Sequence, residues 1–435
     1  MNKNTYNTDL LSTVVNQMRE HGQYPTFYEV ERIFGRGELC VVDGKECIHM
    51  GSNGYLGLQF DPEVIAAAHD ALNQYGLGST GSRITAGTTK AHLELEATLA
   101  QFEGTEACVV FSTGYLGNMG MIQGLGSHTM KGMLDFIAPD ESQRLFEGGK
   151  KTHFIFDKLI HRSMIAGIEA TMSGLTGPRP KISSFQNGDY GHLETILAES
   201  NCPGKVVFVD SIFSLHGRVT DLRQVTEIAE KYQADVYVDE AHATGIYGPQ
   251  GRGIANMQSV EDKIRFRYGT LSKAIGAEGG FFAGTKTECD AFRVTAPWIF
   301  NTSMAPCVAA GARKGIEIVM RDPSRRQKLL RKADDFRAKV EAIGYDVLGS
   351  RTHIVPVRFY TKKAAQEATS FLHKHGIFAP CYWYPAVGRT EAMVRMNIMA
   401  VHSDEQLEDV LYILKQLKPL SDRGREESET TESHE

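Results

Sequence analysis

No stretch of the 435-residue chain reaches the about 20 consecutive apolar residues that a membrane-spanning helix needs. No charge of one sign dominates: 47 basic residues stand against 53 acidic ones, a net of −6. That balance excludes the basic footprint of a nucleic-acid binder and the polybasic signal of a membrane-surface protein. Residues 1–19 lack a basic stretch followed by an apolar block, so no signal peptide is expected. The seven cysteines (Cys40, Cys47, Cys108, Cys202, Cys289, Cys307 and Cys381) are odd in number and scattered, with no Cys-x-x-Cys. They read as reduced thiols of a cytoplasmic protein, and no metal site is expected. At 42% apolar and 23% charged residues the composition is that of a soluble globular protein, and the length suits two or three domains.

What is present is an alternation of short apolar runs with helical patterns, the mark of an α/β protein with a mainly parallel sheet. Strands are expected at Ala107–Phe111, His153–Phe156, Lys205–Val209, Asp235–Val238, Arg265–Gly269 and Gly280–Ala283. Leu95, Leu99 and Phe102 fall on one helical face, as do Leu222, Val225, Ile228 and Ala229. A second unit is expected from near Pro306. It has helical patterns over Arg325–Ile343, Ala364–His375 and Glu405–Leu417, and strands at His353–Phe359 and near Met393–Met399. The expected division is an N-terminal segment 1–60, a large domain 61–305, a smaller α+β domain 306–420 and a disordered tail 421–435. The tail is expected because Ser421–Glu435 is polar, follows Pro419 and has no apolar periodicity. Leu125–Lys150, with its glycines and Pro139, reads as a surface loop or flap.

Two stretches carry chemistry. Tyr268-Gly-Thr270-Leu-Ser-Lys273-Ala-Ile-Gly276 places a lysine among small residues between two expected strands, where its amine can meet an aldehyde. Tyr237-Val-Asp239-Glu-Ala-His242 ends an apolar strand in a carboxylate. Ligands of open α/β sheets bind outside the carboxyl ends of strands. A carboxylate buried there needs a positive partner, which a protonated pyridine nitrogen supplies.

Further motifs stand in order along the chain: Gly51-Ser-Asn53-Gly-Tyr-Leu-Gly57, Gly81-Ser-Arg83 with Gly87, His92-x-x-Leu-Glu96, Ser112-Thr-Gly114-Tyr115, Asp157 with His161-Arg-Ser163, and Asn301-Thr302-Ser303. With these the chain, from about Tyr24 to Leu417, resembles the α-oxoamine synthases. These pyridoxal-phosphate enzymes include serine palmitoyltransferase, 8-amino-7-oxononanoate synthase and glycine C-acetyltransferase. The resemblance implies fold type I of the pyridoxal-phosphate-dependent transferases (aspartate-aminotransferase-like), with a seven-stranded, mainly parallel sheet. It implies that Lys273 holds the cofactor and moves the Cα proton, that Asp239 pairs with the pyridine nitrogen and that His161 stacks on the ring. It places Ser214 and His242 near the ring hydroxyl, and Gly114, Tyr115 and Thr270 at the phosphate. Thr302 would reach the phosphate in the neighbouring subunit, which implies a homodimer with shared sites.

The implied reaction joins an amino acid to an acyl thioester of coenzyme A or an acyl carrier protein, with loss of CO2 and free thiol, to give an α-amino ketone. Several members carry an Arg-Pro-Pro motif that anchors the substrate carboxylate. Here the region reads Gly376-Ile-Phe-Ala-Pro-Cys-Tyr-Trp-Tyr-Pro385-Ala-Val-Gly-Arg389, with no arginine at that place. Asn53, Arg395 and Arg389 are the remaining candidates. The Pro385-Ala-Val stretch resembles a serine palmitoyltransferase-like subgroup, so serine is the expected amino acid, with glycine or alanine behind it, and the chemistry is of the sphingolipid type. His161-Arg-Ser and Gln186-Asn-Gly depart from the usual His-Ala-Ser and His-Asn-Asp, Leu125–Lys150 is longer than the family's connection, and the three changes suggest a specialised acyl donor or product. Two other readings stay open: transamination on the same fold, since a fold does not dictate a reaction, and a non-catalytic subunit of a heterodimer. The presence of Lys273, Asp239 and His161 speaks against the latter.

Overall fold

The computed structural model describes residues 6–24, 27–146, 151–172 and 179–432. Its centre is a seven-stranded sheet. Across it the strands lie in the order Ala107–Phe111, Gly280–Gly284, Phe266–Thr270, Asp235–Asp239, Gly204–Asp210, Thr152–Asp157 and Lys181–Phe185. The last five pair in parallel, and only Gly280–Gly284 runs against its neighbours. All six expected strands are present. The seventh, Lys181-Ile-Ser-Ser-Phe, lacks an apolar run because it is an edge strand, exposed or half-buried for most of its length.

The inner strands are largely apolar because both sheet faces are covered there. Val206, Phe208, Tyr237 and Phe266 pack into a cluster on one face, and Val207, Val209, Val236 and Val238 into the main core on the other. Each such side chain contributes about 1.5–3 kcal/mol on burial. The register of the two central strands sets Asp210 beside Asp239 at their carboxyl ends. That alignment creates the site.

A helix begins at Pro306 (Pro306–Arg321) and packs against the helices Pro62–Tyr75 and Lys90–Glu103. Beyond it, Ile354–Tyr360, Ala392–Asn397 and Cys381–Tyr382 form a three-stranded antiparallel sheet. The strands Val30–Phe34, Leu39–Val42 and Lys45–His49 join Ile377–Phe378 in a four-stranded sheet. The Asn397 N–H donates to the Met50 carbonyl at 2.7 Å. The N-terminal segment is thus built into the C-terminal part of the chain.

Two expectations are corrected. The last helix runs from Asp404 to Glu432, through Pro419, so residues 421–432 are helical and not a disordered tail. Proline removes one backbone donor, but the turns beyond it dock on the Ile354–Tyr360 strand. Ser421 is buried there, and its hydroxyl donates to the Arg358 carbonyl at 2.9 Å. Leu125–Lys150 is not a loop in its described part. Ser127–Ile137 and Pro139–Phe146 are two helices packed on each other, and 147–150 lie outside the described residues. Among the described residues no helix is long and apolar enough to cross a membrane.

Candidate active site

A cavity of about 350 Å³ opens at the carboxyl ends of the central strands. Gly114, Tyr115, His161, Asp239, His242, Thr270 and Lys273, seven of the residues singled out in the sequence, line it. They come from four strand ends and the segments that follow them: Ala107–Phe111, Thr152–Asp157, Asp235–Asp239 and Phe266–Thr270.

Gly114 opens the helix Gly114–Leu125, where Thr113 caps the first turn by accepting from the Leu116 N–H at 3.1 Å. The unpaired N–H groups of such a turn attract an anion. Tyr268 fixes this helix to the sheet: its hydroxyl donates to the Gly114 carbonyl at 2.7 Å. A Cβ on Gly117 or Gly280 would lie 2.1 or 1.8 Å from that hydroxyl, so both positions admit only glycine. Thr270 sits against Gly114, and its hydroxyl donates to the Gly279 carbonyl at 2.8 Å.

Lys273 projects from the turn between the Phe266–Thr270 and Gly280–Gly284 strands. Burial lowers its pKa to about 8, against the pull of Asp239 and Asp210, which raise it. Asp239 is buried. Its Oδ1 accepts from the Ala241 N–H at 2.8 Å and its Oδ2 from Asn118 Nδ2 at 2.7 Å. Asp210, its neighbour in register, accepts from the His161 N–H at 3.3 Å. Burial, and then the charge of Asp239, push the Asp210 carboxyl well above the usual carboxylate range, which favours its neutral form. Burial also lowers the pKa of His161 and of His242, so both imidazoles are neutral at neutral pH.

Ser214, Thr302, Asn53 and Arg395 do not line this cavity. Three of them form a cluster joined to it. The Tyr55 hydroxyl donates to Asn53 Oδ1 at 2.9 Å and meets His242 Nδ1 at 2.8 Å. Arg395 donates to Asn53 Oδ1 through both terminal nitrogens (3.2 and 3.3 Å) and through Nε to the Ser214 carbonyl (2.7 Å). Because Tyr55 spends its proton on Asn53, His242 must donate from Nδ1, which leaves Nε2 as an acceptor. Thr302 is exposed, and its carbonyl accepts from the Ser112 hydroxyl at 2.9 Å. Arg389 lies over the Tyr384 ring at 5.0 Å, outside the cavity. Arg162, the odd residue of His161-Arg-Ser, pairs with Glu169 on the surface.

Sequence reading missed Asp210 and Asn118. Asp210 ends an expected strand just as Asp239 does, and the same rule points to it. Asn118 falls one helical turn after Gly114, a spacing that points nowhere until the helix is docked.

Residues 45–414 match the aminotransferase class I and II family. The chain is 32% identical over 409 residues to 8-amino-7-oxononanoate synthase 1 of Bacillus subtilis (strain 168), covering 94% of this chain and 96% of that one. It is 34% identical over 380 residues to 8-amino-7-oxononanoate synthase of Petrotoga mobilis, covering 86% and 89%. Among solved structures it matches serine palmitoyltransferase from S. paucimobilis, bound to a PLP–myriocin aldimine. There the TM-score is 0.83 at 29% identity, over 97% of this chain and 99% of that one. The chain belongs to the aminotransferase class I and II family. Within that class it is an α-oxoamine synthase, a pyridoxal-phosphate-dependent acyltransferase.

Proposed function

We propose that the protein condenses a small amino acid, serine before glycine or alanine, with an acyl thioester, releasing CO2 and free thiol and leaving an α-amino ketone. The observation that carries this reading is the convergence of Lys273, Asp239 and His161 on one cavity whose far wall is a helix N-terminus. The donor set fits pyridoxal phosphate: an amine, a buried carboxylate, a neutral imidazole, and an open first helical turn at Gly114. A Cβ on Gly114 would crowd Thr270 Oγ1 at 3.0 Å.

Bound there, the cofactor supplies an aldehyde for the amino group and a ring that delocalises the electron pair left on Cα. The chain does the rest. Lys273 would hold the cofactor's aldehyde, and its amine is placed to take the Cα proton and to return it. Asp239 would keep the ring nitrogen protonated, and the neutral imidazole of His161 would lie against the ring. His242 Nε2 would serve the ring hydroxyl, and Gly114, Tyr115 and Thr270 would hold the phosphate, while Ser214, which does not line the cavity, is given to the ring hydroxyl by the resemblance alone. The Asn53–Arg395 cluster, two hydrogen bonds behind His242 through Tyr55, is the anchor for the substrate carboxylate. Arg395 would reach that carboxylate by exchanging its bond to Asn53.

Serine stands first on the Pro385-Ala-Val stretch, and the likeness to serine palmitoyltransferase over 97% of this chain agrees with it. The product would then be 3-ketosphinganine-like. Alanine is the second reading. It rests on the relatives named for an amino ketone with a methyl group beside the amine, the fragment alanine leaves on decarboxylation. Titrating the holoenzyme with each amino acid and following the cofactor absorbance ranks the donors. Saturation by alanine but not serine would reverse the order. Assays of CO2 and thiol release, with acyl-coenzyme A and acyl carrier protein in separate arms, identify the thioester. Amino-group transfer without either product would replace the reading with an aminotransferase.

Two further outcomes follow. The neutral amine of Lys273 is the reactive form. The rate at which apoenzyme captures pyridoxal phosphate should therefore rise about tenfold per pH unit below the pKa and level off above about 8. A rate still climbing through pH 10 would mean an unshifted lysine. Thr302 has no place in its own chain's cavity, which supports its reaching a partner's phosphate. A dimer is expected by sedimentation, with Thr302→Ala weakening cofactor binding about tenfold, the worth of one hydrogen bond to a charged group. A fully active monomer contradicts this.

A further inference from the structure

Asn118 is buried one turn into the helix Gly114–Leu125, and its side chain makes three hydrogen bonds. Its Oδ1 accepts from the Tyr237 hydroxyl at 2.7 Å. Its Nδ2 donates to Asp239 Oδ2 at 2.7 Å and to Ser163 Oγ at 2.9 Å. Ser163 Oγ in turn meets His161 Nδ1 at 2.7 Å. We propose that Asn118 is a positioning residue which, through a hydrogen-bond chain of fixed polarity, orients the Asp239 carboxylate and the His161 imidazole together. The proposal rests on the reading above, in which those two groups face the cofactor ring.

The polarity follows from what each group can do. A phenol in this site stays protonated, since burial raises the pKa of Tyr237 well above its usual value. Its proton therefore goes to Asn118 Oδ1. The amide nitrogen must then face Asp239 and Ser163, because the flipped amide would set an oxygen 2.7 Å from a carboxylate. Ser163 accepts from Asn118 and so has its own proton to give to His161 Nδ1. The Ser163 backbone N–H points at the same atom, at 3.3 Å. His161 Nδ1 is an acceptor on both counts, and the ring proton sits on Nε2. One asparagine thus sets the direction of the carboxylate and the tautomer of the imidazole. In a buried site a broken link leaves a polar group unpaired, so the chain acts as a unit.

The variants Asn118→Ala, Tyr237→Phe and Ser163→Ala test this in pyridoxal-phosphate-loaded enzyme, with folding checked by thermal melting. Asp210, Lys273, His161 and Tyr268, the other titratable groups around Asp239, keep their own side chains in all three. Without the Asn118 donor the Asp239 charge is less compensated and favours the protonated cofactor more strongly. In Asn118→Ala the pH midpoint of the bound cofactor's visible absorbance should rise by about one unit. Its kcat should fall about tenfold or more, as when an orienting partner is lost, while KM for the amino acid moves less than about threefold. Tyr237→Phe should shift the midpoint the same way by less. Ser163→Ala cuts only the branch to His161 and should lower kcat with the midpoint unmoved. If Asn118→Ala does not fold, Tyr237→Phe, which removes a single oxygen, decides. Wild-type midpoints and kcat in Asn118→Ala or, where that variant does not fold, in Tyr237→Phe, beside an inactive Asp239→Asn, would overturn the proposal and leave the proposed function standing. Near-normal turnover in Asp239→Asn would instead remove the reading beneath it.

Discussion

Lys273→Ala is expected to abolish condensation, by at least about 10⁴-fold, while the chain stays folded. A placed base contributes about 10²–10⁴-fold by itself, and in the proposed function the same amine is also the covalent anchor. The turn does not need the lysine side chain. The Gly276 N–H donates to the Lys273 carbonyl and the Ala277 N–H to the Leu271 carbonyl, both at 2.9 Å. Leu271, Ala274 and Ile275 are buried and hold the segment down. Gly276, at φ 74°, reverses the chain where a Cβ would strike the Gln59 backbone nitrogen at 2.6 Å. Removing the amine therefore removes chemistry and little stability. Pyridoxal phosphate should still bind weakly through Asp239 and the phosphate contacts. Borohydride reduction of the wild-type holoenzyme and peptide mapping give the direct measurement, with the adduct on Lys273. An adduct on Lys286 or Lys263 would sink the assignment. Both are surface residues, paired with Asp290 and Glu230.

Asp239→Asn is expected to bind the cofactor and lose about 100-fold or more in kcat, the size of losing a preorganised electrostatic partner. An amide cannot hold the ring nitrogen protonated. The substitution also disturbs the site's own bonding. Asp239 accepts from the Ala241 N–H through one oxygen and from Asn118 through the other. The introduced amide has a single acceptor and leaves one of those donors unpaired, so a modest fall in Tm should accompany the loss of rate. Cofactor content measured beside turnover separates a binding defect from a chemical one. Full turnover with cofactor bound would remove Asp239 from the role.

Much of the large sheet was legible because its strands are apolar on both faces and end in chemistry-bearing residues. Asp235–Asp239 announces itself by three residues of strand character, Val236, Tyr237 and Val238, and a carboxylate. Lys181–Phe185 does not, because an edge strand needs no apolar run. The helix Asp404–Glu432 was misread at Pro419 because local rules treat proline as a stop, whereas the docking of Ser421 under the Arg358 carbonyl is a long-range fact. The helices within Leu125–Lys150 are not legible locally, because glycines and Pro139 in that stretch are loop signals that the packing of Ser127–Ile137 on Pro139–Phe146 overrides.

By itself the sequence determined the family, the order of the central strands along the chain, and the residue types at the site: a lysine after Thr270, a carboxylate at a strand end, an imidazole after Asp157 and a glycine opening a helix. Local pattern suffices for these because each is a property of a few adjacent residues. Only the tertiary structure decided which of them meet. Strand register set Asp210 against Asp239 across 29 positions of sequence. Docking of the Gly114–Leu125 helix brought Asn118 between Tyr237, Asp239 and Ser163. Folding of the C-terminal part back onto the N-terminal segment placed Arg395 on Asn53. The physical reason is the same in each case. A hydrogen bond between buried polar groups depends on positions to within a few tenths of an ångström, and those positions are set by packing between elements far apart in the chain.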